Sequence, residues 1–294
     1  MNSPAAGGGI SLRNILFPTD FSPCTETALA YAAELAHRFD STLHSVTVVS
    51  EQIVDYVQPP DPFYLRHTAE KKMAIVTHLE VLQGIRHRES VKEGMVLEVL
   101  SDLIERLAID LVVLGTHGRG GVKQLMVGSV SEEIINSAPC PVLTLGPHAP
   151  CISGSHLKLK SILYATDLLH NPEKALTYAL WLAEQDHTRL TLLHVVKPPN
   201  DPHSRDPQLE VESKRKELAQ LLPSEGAASV ETECIVEMGV AGDQILKVAE
   251  KQGVDLIVMG PPHTAFTRIS AHLPWITPHK VICHAPCPVL TVRG

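Results

Sequence analysis

Two stretches of the chain are near-copies: RNILFPTDFSPCTETALAYAAELAHRFDSTLHSVTVV at residues 13–49 and KSILYATDLLHNPEKALTYALWLAEQDHTRLTLLHVV at residues 160–196. They align without gaps at an offset of 147, and 14 of the 37 positions are identical. The repeat ends match more closely still, with APCPVLTL at 138–145 against APCPVLTV at 285–292. The chain is therefore a tandem repeat of one domain.

The length of 294 residues is enough for two domains of this size. We place the first domain at residues 12–146, after a flexible tail at 1–11, and the second at residues 159–294. The joining segment PHAPCISGSHLK, at 147–158, combines Pro, Gly and Ser without an apolar period, which is typical of a linker.

Each repeat alternates strand-like and helix-like patterns. In the first repeat they predict strands at Ile15–Phe17, Leu43–Val49, just before Gly94, Leu111–Leu114 and Val142–Leu145, and helices at Thr27–Phe39, Lys72–Gln83, Val96–Leu107 and Ser129–Ser137. The second repeat follows the same plan from Ile162 to Val292. The alternation predicts an α/β fold with two tandem, doubly wound, five-stranded parallel-sheet domains.

Composition argues against several classes of protein. A net charge of −8 makes nucleic acid an unlikely partner, and no apolar run approaches the ~20 residues that cross a bilayer. The start MNSPAAGGGI lacks the pattern of a signal peptide, and six cysteines without C-x-x-C do not suggest a disulfide framework. We expect a cytoplasmic protein with reduced thiols, bound to neither membrane nor nucleic acid.

The residues with recognisable chemistry follow two predicted strands. Pro18-Thr19-Asp20 ends strand one, Gly115-Thr116-His117-Gly118 ends strand four, and Gly128-Ser129 opens the next helix. Open α/β sheets bind ligands at the carboxyl ends of strands where the strand order reverses. Glycines allow close backbone approach, and the free N–H groups of a helix N-terminus attract anions. The loop predicts a main-chain phosphate site that lacks the Walker and dinucleotide glycine motifs.

The spacing G-2x-G-9x-G-[ST] of this loop resembles the nucleotide fingerprint of ATP-binding universal stress proteins. The P-T-D of strand one and the terminal Pro-Val-Leu at 141–143 are similar to the same family. The resemblance extends over nearly the whole chain, twice. It implies the universal stress protein fold, of the adenine nucleotide alpha hydrolase-like type, for both repeats.

The resemblance also implies roles for individual residues. Asp20 would lie by the nucleotide or its metal ion, and Val48, late in strand two, would meet the adenine. The implied ligand is ATP, with Mg²⁺ or Mn²⁺ held chiefly by the triphosphate. The residues that would hold ribose and phosphates are Gly115, Gly118, Gly128, Ser129 and Val130.

Each of these side chains also has a purely structural interpretation. Ser129 and Glu132 match the S-x-x-E pattern of a capping box, which can coexist with phosphate binding. Asp20 could cap the following segment, and Asp167 stands at the same place in repeat two. Val48 is equally compatible with a position in the core.

Repeat two departs from the motif. Its loop begins Gly260-Pro261-Pro262-His263, and the nine-residue spacing ends at Leu273-Pro274 instead of Gly-Ser, with two extra residues in the region. Because prolines remove backbone donors and fix φ, the same cradle cannot form there. We therefore expect one nucleotide per chain, bound by repeat one.

Histidines and cysteines gather near the altered loop of repeat two, and their types would suit zinc. Their spacings match no standard zinc finger, so structural or surface roles are favoured and no metal site is predicted. The residues concerned are His263, His272, His279, Cys283 and His284.

The last strand of each repeat is apolar and predicted to lie at a sheet edge. Stress proteins of the family pair such edges antiparallel, which implies that Val142–Leu145 lies beside Val289–Val292 within one chain. A further homodimer is compatible with this arrangement.

Three function hypotheses follow. The leading one is a regulatory or sensor module of the stress response that binds ATP in repeat one and acts on an unknown protein partner. The second is a slow ATPase, for which His117 and Asp20 are the obvious candidate groups. The third is a nucleotide-free interaction scaffold, a description that fits repeat two better than repeat one.

Overall fold

The computed structural model describes residues 9–50, 62–116, 127–152, 157–169, 172–198, 206–223, 230–261 and 276–293. The first repeat contains β1 (Asn14–Pro18), α1 (Pro23–Arg38), β2 (Thr42–Val49), α2 (Pro62–Thr77), β3 (Arg86–Glu93), α3 (Val96–Arg106), β4 (Leu111–Gly115), α4 (Ser129–Ser137) and β5 (Val142–Leu145). The second contains β6 (Ser161–Thr166), α5 (Pro172–Asp186), β7 (Arg189–Val196), α6 (Pro207–Gln220), β8 (Thr232–Met238), α7 (Ala241–Gln252), β9 (Leu256–Met259), α8 (Ile276–His284) and β10 (Val289–Thr291).

The strands form a single ten-stranded sheet in the order β3-β2-β1-β4-β5-β10-β9-β6-β7-β8. Within each half the neighbouring strands are parallel, and the strand order reverses between β1 and β4 and again between β6 and β9. Right-handed crossovers then place the helices on both faces. The expected fold class, two doubly wound five-stranded units in tandem, is confirmed.

The two halves meet where β5 and β10 pair antiparallel, with Thr144 opposite Val289 and Val142 opposite Thr291. The Thr144 hydroxyl donates to the Val289 carbonyl at 3.0 Å, and the Thr291 hydroxyl donates to the Val142 carbonyl at 3.2 Å. Since Thr144 and Thr291 are equivalent in the repeat, these bonds reproduce each other across a pseudo-two-fold axis.

Each face of the sheet carries its own apolar core. The first core packs α1 and α5 against the sheet, and Phe39 of the first half stacks on Trp181 of the second at 4.9 Å. Arg38 and Asp186 form an ion pair of 2.8 Å beside this stack. The second core packs α3, α4, α7 and α8 on the opposite face. The halves thus share both cores.

The predicted helix at Lys72–Gln83 is wrong in position. The helix α2 ends at Thr77, and a short 3-10 turn at Glu80–Leu82 follows it. Among the described side chains of the first half of α2 only Ala69 is buried, so that this half carries little apolar periodicity. Period-based reasoning therefore detected the later part of the helix and extended it into the turn.

No helix in the described ranges is long and apolar enough to cross a membrane. The cytoplasmic location stays a prediction.

Candidate functional site

The end of β4 and the start of α4 are joined by direct hydrogen bonds. The Gly128 N–H donates to the Thr116 carbonyl at 2.9 Å, and the Ser131 hydroxyl donates to the Gly115 carbonyl at 3.1 Å. Thr116 is fully buried, and its own N–H donates to the Leu145 carbonyl at 3.1 Å. The two ends of the glycine loop are therefore fixed to the sheet edge beside the β1–β4 switch point.

The first turn of α4 presents backbone donors. Gly128 is the N-cap, with an extended φ of −61° and ψ of 147°, and its carbonyl accepts the Glu132 N–H at 2.9 Å. Within the described part of the chain, no acceptor meets the N–H groups of Ser129, Val130 and Ser131. Together with the helix dipole, three such donors form a site suited to a phosphate.

The capping-box interpretation of Ser129 and Glu132 is wrong. Ser129 is the first residue of the helix, and the N-cap is Gly128, which has no side chain to donate or accept. A capping box needs the hydroxyl at the N-cap position, one residue earlier. The donors of this turn are therefore not taken by a local cap.

Strand β1 ends in a tight turn that includes the P-T-D motif. The Asp20 carboxylate accepts the Ser22 N–H at 3.0 Å, and the Thr19 hydroxyl oxygen accepts the Phe21 N–H at 3.0 Å. Phe21 adopts a positive φ of 62°, which is unusual for an aromatic residue. Ser22, not Asp20, is the N-cap of α1, so Asp20 braces the turn that leads into the helix.

The second half builds the same turn from other residues. The Asp167 carboxylate accepts the Leu169 N–H at 2.9 Å, the Thr166 hydroxyl oxygen accepts the Leu168 N–H at 3.0 Å, and φ at Leu168 is 64°. A turn that recurs this closely in both halves is a property of the fold. The contacts of Asp20 alone therefore do not distinguish a ligand site from a structural turn.

The sheet brings the predicted residues of the first half to one edge. If the β1–β2 and β1–β4 registers are extended beyond the last paired residues, Asp20 falls opposite Val48 and Thr116. Val48 is half-buried and packs against the core on the α3–α4 face. This agrees with the interpretation of Val48 as a core residue. Ser129 is exposed and Val130 half-buried. Gly118 and His117 lie outside the described residues.

The corresponding helix of the second half starts differently. α8 begins at Ile276, at the repeat offset of 147 from Ser129, so that Thr277 and Pro278 replace Val130 and Ser131. Pro278 has no N–H to offer to an anion. The sequence spacing alone points to Leu273-Pro274 as the counterpart of Gly128-Ser129, whereas the starts of the two helices align Ser129 with Ile276. Leu273 and Pro274 lie outside the described residues, as do His263 and His272.

The remaining histidines and cysteines of that region lie on α8. The Cys283 sulfur lies 3.9 Å from Nδ1 of His279, while His284 is exposed and contacts the Lys280 carbonyl through Nδ1 at 2.9 Å. Among the described residues, no group of three potential ligands could hold a metal ion. Burial raises the pKa of the Cys283 thiol.

Two further thiols occupy equivalent positions before β5 and β10. Burial raises the pKa of Cys140 to about 11 and that of Cys287 to about 12, so both stay protonated at neutral pH. Cys287 is buried and Cys140 half-buried, and protonated thiols in such surroundings are poor nucleophiles and poor metal ligands. These cysteines are part of the packing between the halves.

A groove of about 980 Å³ lies between α1 and α2 and is bounded by Phe17, Leu29, Lys72 and Val76. None of the seven predicted nucleotide residues is among the described residues that line it. The predicted nucleotide residues therefore do not coincide with this groove.

Comparison with known proteins shows the family. The model of the universal stress protein family matches residues 11–145 and again residues 158–293. The chain belongs to the universal stress protein family. The tandem organisation inferred from the repeats is confirmed with it.

Individual relatives match one repeat at a time. A universal stress protein of Methanocaldococcus jannaschii is 26% identical over 152 residues, which cover 49% of this chain and 88% of the relative. Universal stress protein A homolog 1 of Coxiella burnetii is 31% identical over 138 residues, covering 45% of this chain and 95% of the relative.

Solved structures match both halves together. The crystal structure of a universal stress protein from Archaeoglobus fulgidus has a TM-score of 0.74 at 18% identity and covers 97% of both chains. A Pseudomonas aeruginosa structure described as a putative universal stress protein has a TM-score of 0.62 at 17% identity, covering 96% of this chain and 93% of that one. These likenesses concern the fold.

Proposed function

We propose that this universal stress protein binds one ATP per chain, at the β1–β4 switch point of its first half, as a regulatory or sensor module. The observation that supports the proposal most directly is the first turn of α4. There Ser129, Val130 and Ser131 carry three N–H groups that meet no acceptor among the described residues. They follow β4, which pairs with β1, and Asp20 lies in the turn after β1.

The charge pattern of the site is suited to a metal-bound triphosphate. The phosphates would be held by backbone donors and the helix dipole, which supply positive potential without a lysine. The Asp20 carboxylate at the same edge is an oxygen ligand of the kind that Mg²⁺ or Mn²⁺ accepts when phosphate oxygens provide most of the shell. We therefore propose that Mg²⁺ or Mn²⁺ binds with the nucleotide.

The second half is proposed to bind no ATP and to serve as the pairing partner of the first. Pro278 removes the third donor of the equivalent helix turn, and the loop before it contains further prolines. In the described residues, the second half pairs β10 with β5 and so completes the ten-stranded sheet.

Isothermal titration of the full chain with ATP and Mg²⁺ tests this proposal. We expect a single class of site with one nucleotide per chain. Nucleotide released from the purified protein on denaturation would be an independent sign of binding. Two equivalent ATP sites per chain would contradict the asymmetry, and no ATP binding would favour the nucleotide-free scaffold.

A further inference from the structure

Helix α8 of the second half contacts the residue that precedes the N-cap of α4 in the first half. The Val127 N–H, one residue before the N-cap Gly128, donates to Nε2 of His279 at 3.5 Å. The same N–H also faces the sulfur of Cys283, which lies one helical turn further along α8. Val127 is itself buried, with 6% of its surface exposed.

The approach of the two halves is close at this point. A Cβ on Gly146, at the end of β5, would lie 2.5 Å from the carbonyl oxygen of Ile282, so only glycine fits without a shift. Val127, Ile282 and Cys283 belong to one core shared by both halves. A shift of α8 would therefore move the residues that lead into α4.

Helix α8 is fixed to its own half. Lys280 forms an ion pair with Asp243 at the start of α7, and its aliphatic stem lies over Gly242, where a Cβ would come within 3.1 Å. Val281 and Ile282 are fully buried. His279 is therefore presented to the first half from a rigid helix.

This contact has no counterpart across the pseudo-two-fold axis. The repeat offset of 147 places Glu132 at the position of His279 and Pro274 at the position of Val127. A proline has no N–H, so the reciprocal hydrogen bond cannot form. His279, from the half proposed to bind no ATP, therefore contacts the half proposed to bind it.

We infer that His279 is a positioning residue for the nucleotide site: by accepting the Val127 N–H it holds the turn at Gly128 in the orientation that directs the α4 donors to the phosphates. The inference rests on the proposed ATP binding. It gives the second half a role in binding: without His279 the Val127 N–H would face only the Cys283 sulfur, a weak acceptor, and the turn would be held less firmly.

The test uses the full chain and three variants. His279→Leu keeps much of the volume but removes the acceptor, His279→Gln keeps an acceptor, and His284→Leu is a control on the exposed end of the same helix. The ATP dissociation constant with Mg²⁺ is measured by titration, and exchange of the Val127 amide is measured by NMR without nucleotide. Val127→Pro, with Val127→Ala as its control, removes the donor and leaves His279 intact.

We expect His279→Leu and Val127→Pro to weaken ATP binding by roughly three- to tenfold, as loss of one hydrogen bond predicts. His279→Leu should also speed exchange of the Val127 amide, whereas His279→Gln, Val127→Ala and His284→Leu should stay near wild type. An unchanged affinity in both His279→Leu and Val127→Pro overturns the positioning role while ATP binding stands. A wild-type chain that binds no ATP overturns the proposed function instead, and unchanged exchange at Val127 in His279→Leu overturns the hydrogen bond itself.

Discussion

The two halves share a turn and differ in a helix start. After β1 and after β6 the chain makes the same hydrogen bonds and the same positive φ, 62° at Phe21 and 64° at Leu168. After β4 and β9 the halves diverge, because α4 opens with Gly128 and three backbone donors while α8 has Pro278 in its first turn. The first feature belongs to the fold that both halves share, and the second differs between halves that form the same sheet.

The comparison separates what the fold needs from what a ligand needs. Core strands and the turn between β1 and α1 are retained because their loss would expose apolar surface or leave polar groups unpaired. The start of a short surface helix carries few such constraints. A nucleotide site built from main-chain donors can therefore disappear through a few proline and glycine exchanges while both halves keep one architecture.

The largest expected effect is that of Gly128→Val. A Cβ at Gly128 would lie 3.7 Å from the Thr116 carbonyl, an ordinary contact, and its φ of −61° suits any residue, so the fold should tolerate it. A branched side chain would nevertheless stand where phosphate approaches the N–H groups. We expect ATP affinity to fall roughly 100-fold, the equivalent of two charge-assisted hydrogen bonds.

Gly260→Val is a control for that substitution in the second half, at the glycine that follows β9 and corresponds to Gly115, because Trp275 stands at the position of Gly128. A Cβ at Gly260 would lie 3.9 Å from the Val292 carbonyl, which is again an ordinary contact. Titration should show wild-type affinity for this variant, and thermal melting should show both variants folded. Equal affinity for ATP in the two variants would remove the distinction between the halves.

A smaller effect is expected when one feature of the second half is copied into the first. Ser131→Pro introduces into α4 the proline that α8 has at the equivalent position, Pro278. Proline is tolerated in a first helical turn. It removes one donor, so we expect about a tenfold loss of ATP affinity by titration.

Ser131→Ala provides the control for the lost hydroxyl. It keeps the N–H but breaks the 3.1 Å bond from the Ser131 hydroxyl to the Gly115 carbonyl. If alanine weakened ATP binding as much as proline, the side-chain bond and not the backbone donor would explain the difference between the halves.

Much of this architecture could be predicted from the repeat and its apolar runs. The bounds of β5 and α4 are predicted to the residue, since buried strands and short amphipathic helices leave strong periodic signals. The end of β3, an exposed edge strand, is predicted by Gly94 instead. Helix α2 was misplaced because its exposed first half, which includes Phe63 and Tyr64, lacks such a signal.

The site was harder to predict than the fold. The glycine spacing identifies the loop, but it does not give the exact residue at which α4 begins. A difference of one position decides whether Ser129 is the N-cap or, as observed, the first residue of the helix after the N-cap Gly128. The contact between Val127 and His279 joins residues 152 positions apart on different repeats. No local pattern carries such information, although the offset of 147 would have shown that Pro274 replaces Val127.

A still smaller effect should distinguish Asp20 from Asp167, whose described turn contacts are the same. Asparagine at either position keeps the oxygen that accepts the N–H two residues later, so neither Asp20→Asn nor Asp167→Asn should alter the turn. With Mg²⁺ present, Asp20→Asn should weaken ATP binding roughly fivefold, because a carboxylate near the metal is lost. Asp167→Asn should have no effect. Titration without Mg²⁺ should abolish the difference or reverse its sign, and equal effects of the two variants would assign Asp20 a purely structural role.

The smallest expected difference between the halves concerns acid stability. Burial lowers the pKa of His44 on β2 and of His87 on β3 below the ordinary value of 6.5, and nearby Arg88 lowers the pKa of His44 further. The repeat offsets place Thr191 and Thr232 at these positions in the second half. As pH falls below 6.5, the unfolded chain binds protons that the folded first half resists, so its stability decreases.

The variant His44→Thr/His87→Thr should reduce this pH dependence. Its urea midpoint is compared with that of the wild type between about pH 7.5 and about pH 5.5, the range in which imidazoles titrate. The midpoint at neutral pH is expected to change as well, because His44 donates to Asn14 at 3.1 Å and His87 contacts Ser45 at 2.8 Å. The informative quantity is therefore the change of the urea midpoint with pH, and a slope equal to that of the wild type would assign the acid sensitivity to titrating groups other than His44 and His87.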